Sequence, residues 1–287
     1  MGETRVYVSA QRAHLVAVYR PGEIGIRRQI RVGDRPHGVA VTPAGLLAVA
    51  CWGGVHLVDV NTSETRAVGG QGRIQYHGTG ISRDGKVYVT TGDHGTFVLV
   101  LNAETGRELG AIDHNIHGPT GLVAAKDGCV YIANCQTPFS IAVVQNDSVT
   151  ATIELKQRPH GLSLSADESL LYVAEPLSGT ITMISLADRI PTTRIHLGGR
   201  PCAIAAMPEK KLYVVDSARN SVGVLESENQ MCGWIPVGRS PGAIAISADR
   251  AYVVNRGDGS LSVVDTDNDR LVQTVSVGYS LWDVAVG

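Results

Sequence analysis

Residues 161–175 read Gly161-Leu162-Ser163-Leu164-Ser165-Ala166-Asp167-Glu168-Ser169-Leu170-Leu171-Tyr172-Val173-Ala174-Glu175. An alternating apolar run, a polar turn and a second apolar run carrying Tyr-Val describe two half-buried strands joined by a hairpin. The phrase recurs along the whole chain. Its first strands begin at Gly38, Gly78, Gly121, Gly161, Ala203, Ala243 and Asp283, at steps of 40, 43, 40, 42, 40 and 40 residues. Its second strands carry Tyr7, Tyr88, Tyr131, Tyr172, Tyr213 and Tyr252 at one register, with Ala48 in the seventh place. One ring packed between neighbouring sheets explains each of these tyrosines.

Third strands are expected at 15–19, 55–60, 97–101, 141–144, 181–184, 222–225 and 261–264. Fourth strands are expected at 27–32, 65–68, 108–112, 150–154, 193–197, 233–237 and 272–277. No segment follows a 3.6-residue period. Seven four-stranded units spaced by about 40 residues predict an all-β chain, a seven-bladed β-propeller with four antiparallel strands per blade. One domain then spans 1–287. The chain starts on a second strand and ends on a first strand. Residues 5–32 should therefore give three strands of one blade and Trp282–Gly287 the fourth, closing the ring and removing its open edge.

Composition agrees with one large β domain. The chain has 287 residues, 44% hydrophobic and 18% charged, with 33 glycines for turns and blade junctions. A net charge of −2 argues against a broad nucleic-acid or acidic-membrane surface, although the bases are skewed to 20 Arg against 5 Lys. No apolar run approaches a membrane span. The N-terminus lacks the basic and apolar regions of a secretory signal. Five cysteines at irregular spacing, with no CxxC pair, argue against a disulfide framework or zinc knuckle. These features predict a reduced, cytoplasmic protein.

The phrases LYVAE, VYIAN and AYVVN, the last followed by SVVDTDND, resemble YVTN-type propeller repeats over essentially the whole chain. The resemblance implies the fold. Its architecture is shared by surface proteins, binding scaffolds, lactonase-like enzymes and lyases, so it does not imply one activity. Asn is the common residue at the end of the second strand of such repeats, and Pro-His-Gly is a common turn.

In such a ring, the loop entering each innermost strand and the loop leaving each second strand meet at one face of the channel. The residues just before the innermost strands are His37, His77, Thr120, His160, Cys202, Gly242 and Trp282. His117, in a longer loop, is placed to refill the position held by Thr120. His37, His77, His160 and His117 are thus the candidate metal ligands, since imidazoles suit Zn, Fe, Cu and Ni; the metal expected is a divalent transition metal, Fe, Zn, Cu or Mn. The second-strand ends are Ala10, Cys51, Thr91, Asn134, Glu175, Asp216 and Asn255. Glu175 and Asp216 replace Asn by carboxylates and are the candidate acid/base groups, with Tyr76 beside them. Trp282, Trp52, Cys202 and Arg256 are the candidate pocket walls. Arg35, Arg158, Arg200 and Arg239 recur just before the ring and suit a basic collar for an anionic substrate. Beside these stands a structural reading, in which each histidine only hydrogen-bonds the backbone of the next blade.

Three functions follow. The first is a metal-dependent lyase or hydrolase acting on a small molecule at the channel mouth, with a divalent transition metal and a carboxylate base. The second is a His-ligated Fe or Cu oxidoreductase at the same site. The third is a non-catalytic binding scaffold. In architecture the first two are similar to streptogramin lyases and carotenoid-cleaving oxygenases, whose sequence motifs are absent here. No GxSxG, Walker, HExxH or GxGxxG unit occurs.

Overall fold

A computed structural model describes the chain except for residues 1–3, 43, 71–73, 93, 209–210, 227–229 and 279. The described residues form twenty-eight strands, β1 to β28 in chain order, in seven antiparallel four-stranded sheets, and no α-helix. Blade 1 has the order β28 (Leu281–Val286), β1 (Val6–Ala10), β2 (Leu15–Tyr19), β3 (Arg28–Arg31). Blades 2 to 7 follow as β4–β7, β8–β11, β12–β15, β16–β19, β20–β23 and β24–β27, at residues 39–69, 79–112, 119–154, 162–196, 201–236 and 241–276. The molecule is the seven-bladed propeller the repeat predicts, closed through blade 1. Val6, Tyr7 and Val8 pair with Val286, Ala285 and Val284, and Arg5 and Gly287 exchange backbone hydrogen bonds of 2.8 and 3.0 Å.

The repeat tyrosines are buried, at 0–6% exposure, between neighbouring blades. Tyr7 of blade 1 sits among Val39, Val49 and Val58 of blade 2. Each such aromatic contributes about 2–3 kcal/mol of burial. The hydroxyls reach the next blade as well: Tyr88 donates to Asp147 Oδ1 (2.7 Å) and Tyr213 to the Thr266 carbonyl (3.1 Å). The outer strands of blades 4 to 7 begin two or three residues before the expected positions, at Ser148, Ile190, Gln230 and Arg270. Much of their length is exposed, so apolar alternation does not mark where they start. All five cysteines are free thiols. No helix among the described residues is long and apolar enough to cross a membrane.

Candidate active site at the channel mouth

The innermost strands approach each other closely. A Cβ added to Gly38 would lie 2.3 Å from the His77 carbonyl, and one at Gly121 would lie 2.2 Å from the His160 carbonyl. This crowding explains Gly or Ala as the first channel-facing residue of six blades. The residue before it forms the ring expected from the sequence, and its carbonyl is tied to the preceding blade. Gly38 N–H donates to His77 O (2.6 Å), Thr90 Oγ1 to Thr120 O (2.8 Å), and Arg256 Nε to Trp282 O (3.2 Å). His160 belongs to the same series: its Nδ1 lies 2.8 Å from Cys202 O and, as the protonated nitrogen, donates to it. The structural reading of Pro-His-Gly therefore holds for one nitrogen of this ring.

A cavity of about 510 Å³ opens at the channel mouth. His77, Thr120, His160, Cys202, Gly242 and Trp282 line it, six of the seven ring residues, together with Arg158, Arg200, Arg256, Pro176, Leu177 and Asp283. His37 is the exception. It is 1% exposed, its ring centre 4.3 Å from that of Trp282 and 4.5 Å from that of His77, both rings tilted against it. The side-chain amides of Gln11 and Gln75 both meet its Nε2. Burial, reinforced by His77, Arg256 and Arg35, holds its pKa down to about 3. His37 is thus a neutral ring inside the wall.

His117 does not refill the ring. Thr120 keeps that place, while the His117 N–H donates to Asn134 Oδ1 (3.1 Å) and its carbonyl accepts from Gln136 N (3.1 Å), outside the cavity lining. Of the four histidines expected to hold a metal, only His77 and His160 line the cavity. Among the described residues no group of three or more His, Cys, Asp or Glu side chains is placed to hold a metal.

The expected carboxylates also turn away from the channel. Glu175 ends β17 (Leu170–Glu175), is fully buried, and ion-pairs through Oε2 with Arg194 of β19 (Ile190–His196) at 2.6 Å. Burial raises its pKa against the opposing pull of Arg194 and Ser178. Asp216 Oδ1 accepts from the N–H groups of Arg200 (2.9 Å), Ala218 (2.9 Å) and Arg219 (3.1 Å), and Oδ2 pairs with Arg219. Both latch strand ends and turns, a task that an Asn fulfils at Asn134. Tyr76 is buried between blades against Phe97, with ring centres 6.5 Å apart. Trp52 lies on a separate surface concavity with Gln11, His14, Asp34 and Arg35, its ring 5.7 Å from the Arg35 guanidinium. Arg239 is a rim residue whose guanidinium donates to Gly257 O (3.3 Å).

Trp282, Cys202 and Arg256 do line the cavity. The Arg256 guanidinium lies 4.0 Å over the Trp282 ring. Cys202 is directed at the carbonyls of Pro241 (3.5 Å) and Val215 (3.6 Å), and burial raises its pKa, so the thiol stays protonated. Two collar arginines, Arg158 and Arg200, also reach the cavity.

Sequence reasoning passed over one residue. Asp283 puts a carboxyl where the other six blades have Gly38, Gly78, Gly121, Gly161, Ala203 and Ala243. Its Oδ2 accepts from Val39 N (3.1 Å) across the seam between blades 1 and 2. Burial raises its pKa, opposed by the Val39 and Val284 N–H groups and by Arg256. The break in the Gly/Ala register was the available signal.

No protein-family model matches the sequence, and comparison with curated proteins finds no match. Solved structures do resemble it. A Kuenenia stuttgartiensis hydrazine synthase chain superposes with a TM-score of 0.81 at 18% identity, covering 92% of each chain. A protein of unknown function from Desulfotomaculum acetoxidans gives 0.80 at 13%, covering 98% of each. Virginiamycin B lyase from Staphylococcus aureus gives 0.72 at 15%, covering 93% of this chain and 87% of that one. The chain is therefore a seven-bladed β-propeller of the architecture that virginiamycin B lyase and hydrazine synthase also use.

Proposed function

We propose that the chain binds an anionic small molecule in the mouth of its central channel and acts on it by proton transfer, as a lyase or hydrolase. The observation that carries this reading is Asp283, a carboxyl in the channel at the one position where six blades carry Gly or Ala. Burial favours its protonated form, the state a general acid needs. His160 is the complementary base. It lines the same cavity, and its Nδ1 donates to the Cys202 carbonyl. Elimination and hydrolysis each need one group to take a proton and another to protonate the leaving group.

Arg158 and Arg200 supply positive charge at the same cavity, and among the described residues no carboxylate pairs with the Arg200 guanidinium. Leu177, 68% exposed at the rim, offers apolar surface. A ligand with an acid group and an apolar body matches both. The residues do not fit the expected three-histidine metal centre, because His37 is enclosed by Trp282, His77 and two glutamine amides. The reading is therefore built on the chain's own proton-transfer groups. Virginiamycin B lyase, of the same fold, is by name a lyase, which supports the reaction class only by analogy.

Thermal-shift screening against carboxylates and phosphate monoesters with aliphatic or aromatic bodies, followed by NMR detection of turnover, tests the proposal. A ligand is expected whose affinity falls about tenfold in Arg200→Gln. Its turnover should fall about a hundredfold in Asp283→Asn with binding retained. Binding with no turnover by the unmodified protein would support the scaffold reading. Binding and turnover unchanged in both variants would overturn the proposal.

A further inference from the structure

The arginine excess is not spread evenly. Residues 1–40 hold seven arginines and no lysine, against Glu3, Glu23 and Asp34, in a chain whose net charge is −2. Four of these arginines converge. Arg5, Arg20, Arg27 and Arg28 line a concavity of about 210 Å³ with Val18, Val60 and Asn61. Arg5 precedes β1, Arg20 follows β2, Arg27 precedes β3, and Asn61 follows β6 (Gly54–Asp59). These are the strand ends opposite those that carry the channel ring, so the concavity lies on the other face, at the seam of blades 1 and 2.

The lining is built rather than incidental. Arg5 Nη1 donates to Asn61 Oδ1 (3.0 Å), and Arg28 Nη1 donates to the carbonyls of Val60 (2.9 Å) and Asn61 (3.1 Å). Neutral acceptors thus hold both guanidiniums in place without cancelling their charge. Among the described residues, Glu23 and Asp59 are the carboxylates whose interactions with these arginines are resolved. Glu23 pairs with Arg27 at 2.7 Å. Asp59 acts on Arg28 electrostatically but makes no ion pair with it within 4 Å, its Oδ1 accepting from the turn N–H groups of Asn61 (2.8 Å) and Thr62 (3.3 Å). Fixed like charges close together are unfavourable until an anion joins them, and the planar fork of arginine matches phosphate oxygens in pairs.

We propose that this concavity is a second anion site, which takes the phosphate or pyrophosphate group of a small soluble molecule. Its size suits one or two phosphoryl groups and does not extend into a groove that would follow a nucleic-acid backbone. A lipid headgroup would present the same chemistry, and the test separates the two sources.

The probe is pyrophosphate, titrated calorimetrically at low ionic strength into the full chain carrying Arg158→Gln and Arg200→Gln, so that these two channel arginines contribute nothing; the third, Arg256, is committed to the Trp282 and Gly242 carbonyls. Saturable binding is expected. It should weaken about tenfold in Arg5→Gln and again in Arg28→Gln, since each loses a charge-assisted contact. Arg28→Lys, which keeps the charge and loses the fork, should fall between, and thermal melting checks that every variant is folded. Absence of saturable binding, or affinity indifferent to both Gln substitutions, would refute the site. So would sedimentation with phosphatidic acid vesicles by a chain that does not bind pyrophosphate.

Discussion

Pro36-His37-Gly38 and Pro159-His160-Gly161 are the same tripeptide at the same register of two blades, yet their histidines meet different surroundings. His37 is enclosed, with Trp282 and His77 on its faces and Gln11 and Gln75 at its edge. His160 is half-buried, holds the next blade by one nitrogen and lines the cavity. The neighbours make the difference. The ring residues flanking His37 are the aromatic Trp282 and His77, while those flanking His160 are the smaller Thr120 and Cys202. A repeat register places a side chain at the channel. The residues contributed by adjoining blades decide whether it lines the wall or forms part of it.

Substitution of each histidine by Ala gives the largest expected contrast. His37→Ala removes a fully buried ring and strands two glutamine amides, so urea unfolding should show a loss of about 2–4 kcal/mol. His160→Ala, at a half-buried ring, should cost less, about 1 kcal/mol in the same measurement. Equal costs would dissolve the distinction.

Acid sensitivity sharpens it next. The folded pKa of His37 is about 3, below its ordinary value of 6.5. Between these values the unfolded chain binds a proton that the folded chain does not. Stability from this residue is complete above pH 6.5 and is lost as pH falls toward 3, at up to about 1.4 kcal/mol per pH unit. Unfolding free energies measured across that window should lose this slope in His37→Gln.

The smallest effect tests the cause. Trp282→Ala uncovers one face of His37 and should raise its pKa by about one unit or more, read by NMR titration of the imidazole. A value still near 3 would assign the shift to His77, Arg256 and Arg35 instead of to the burial that Trp282 provides.

The sequence carried the architecture further than the site. Steps of about 40 residues, the tyrosine register and the split blade at the two termini were all visible, because each follows from alternation within a strand and repetition between blades. Outer-strand starts were not, because exposed strands lack the apolar contrast that marks a boundary. Within the site, Trp282, Cys202, Arg256, His77 and His160 were legible as lining residues. Glu175 and Asp216 stood out as breaks from Asn, but their partners, Arg194 and Arg219, show that the carboxylates fasten strands and turns. Asp283 broke a register just as clearly, and only its place in the channel gives that break a chemical meaning.

The sequence by itself determined seven blades, their closure and the ring of positions that faces the axis, because these depend on periodicities of two residues and of about 40. Only the tertiary structure decided which ring histidines line the cavity, which carboxyl reaches it, and that four dispersed arginines converge on the far face. Those outcomes depend on contacts between residues of different blades, and on the burial and charge that such contacts create.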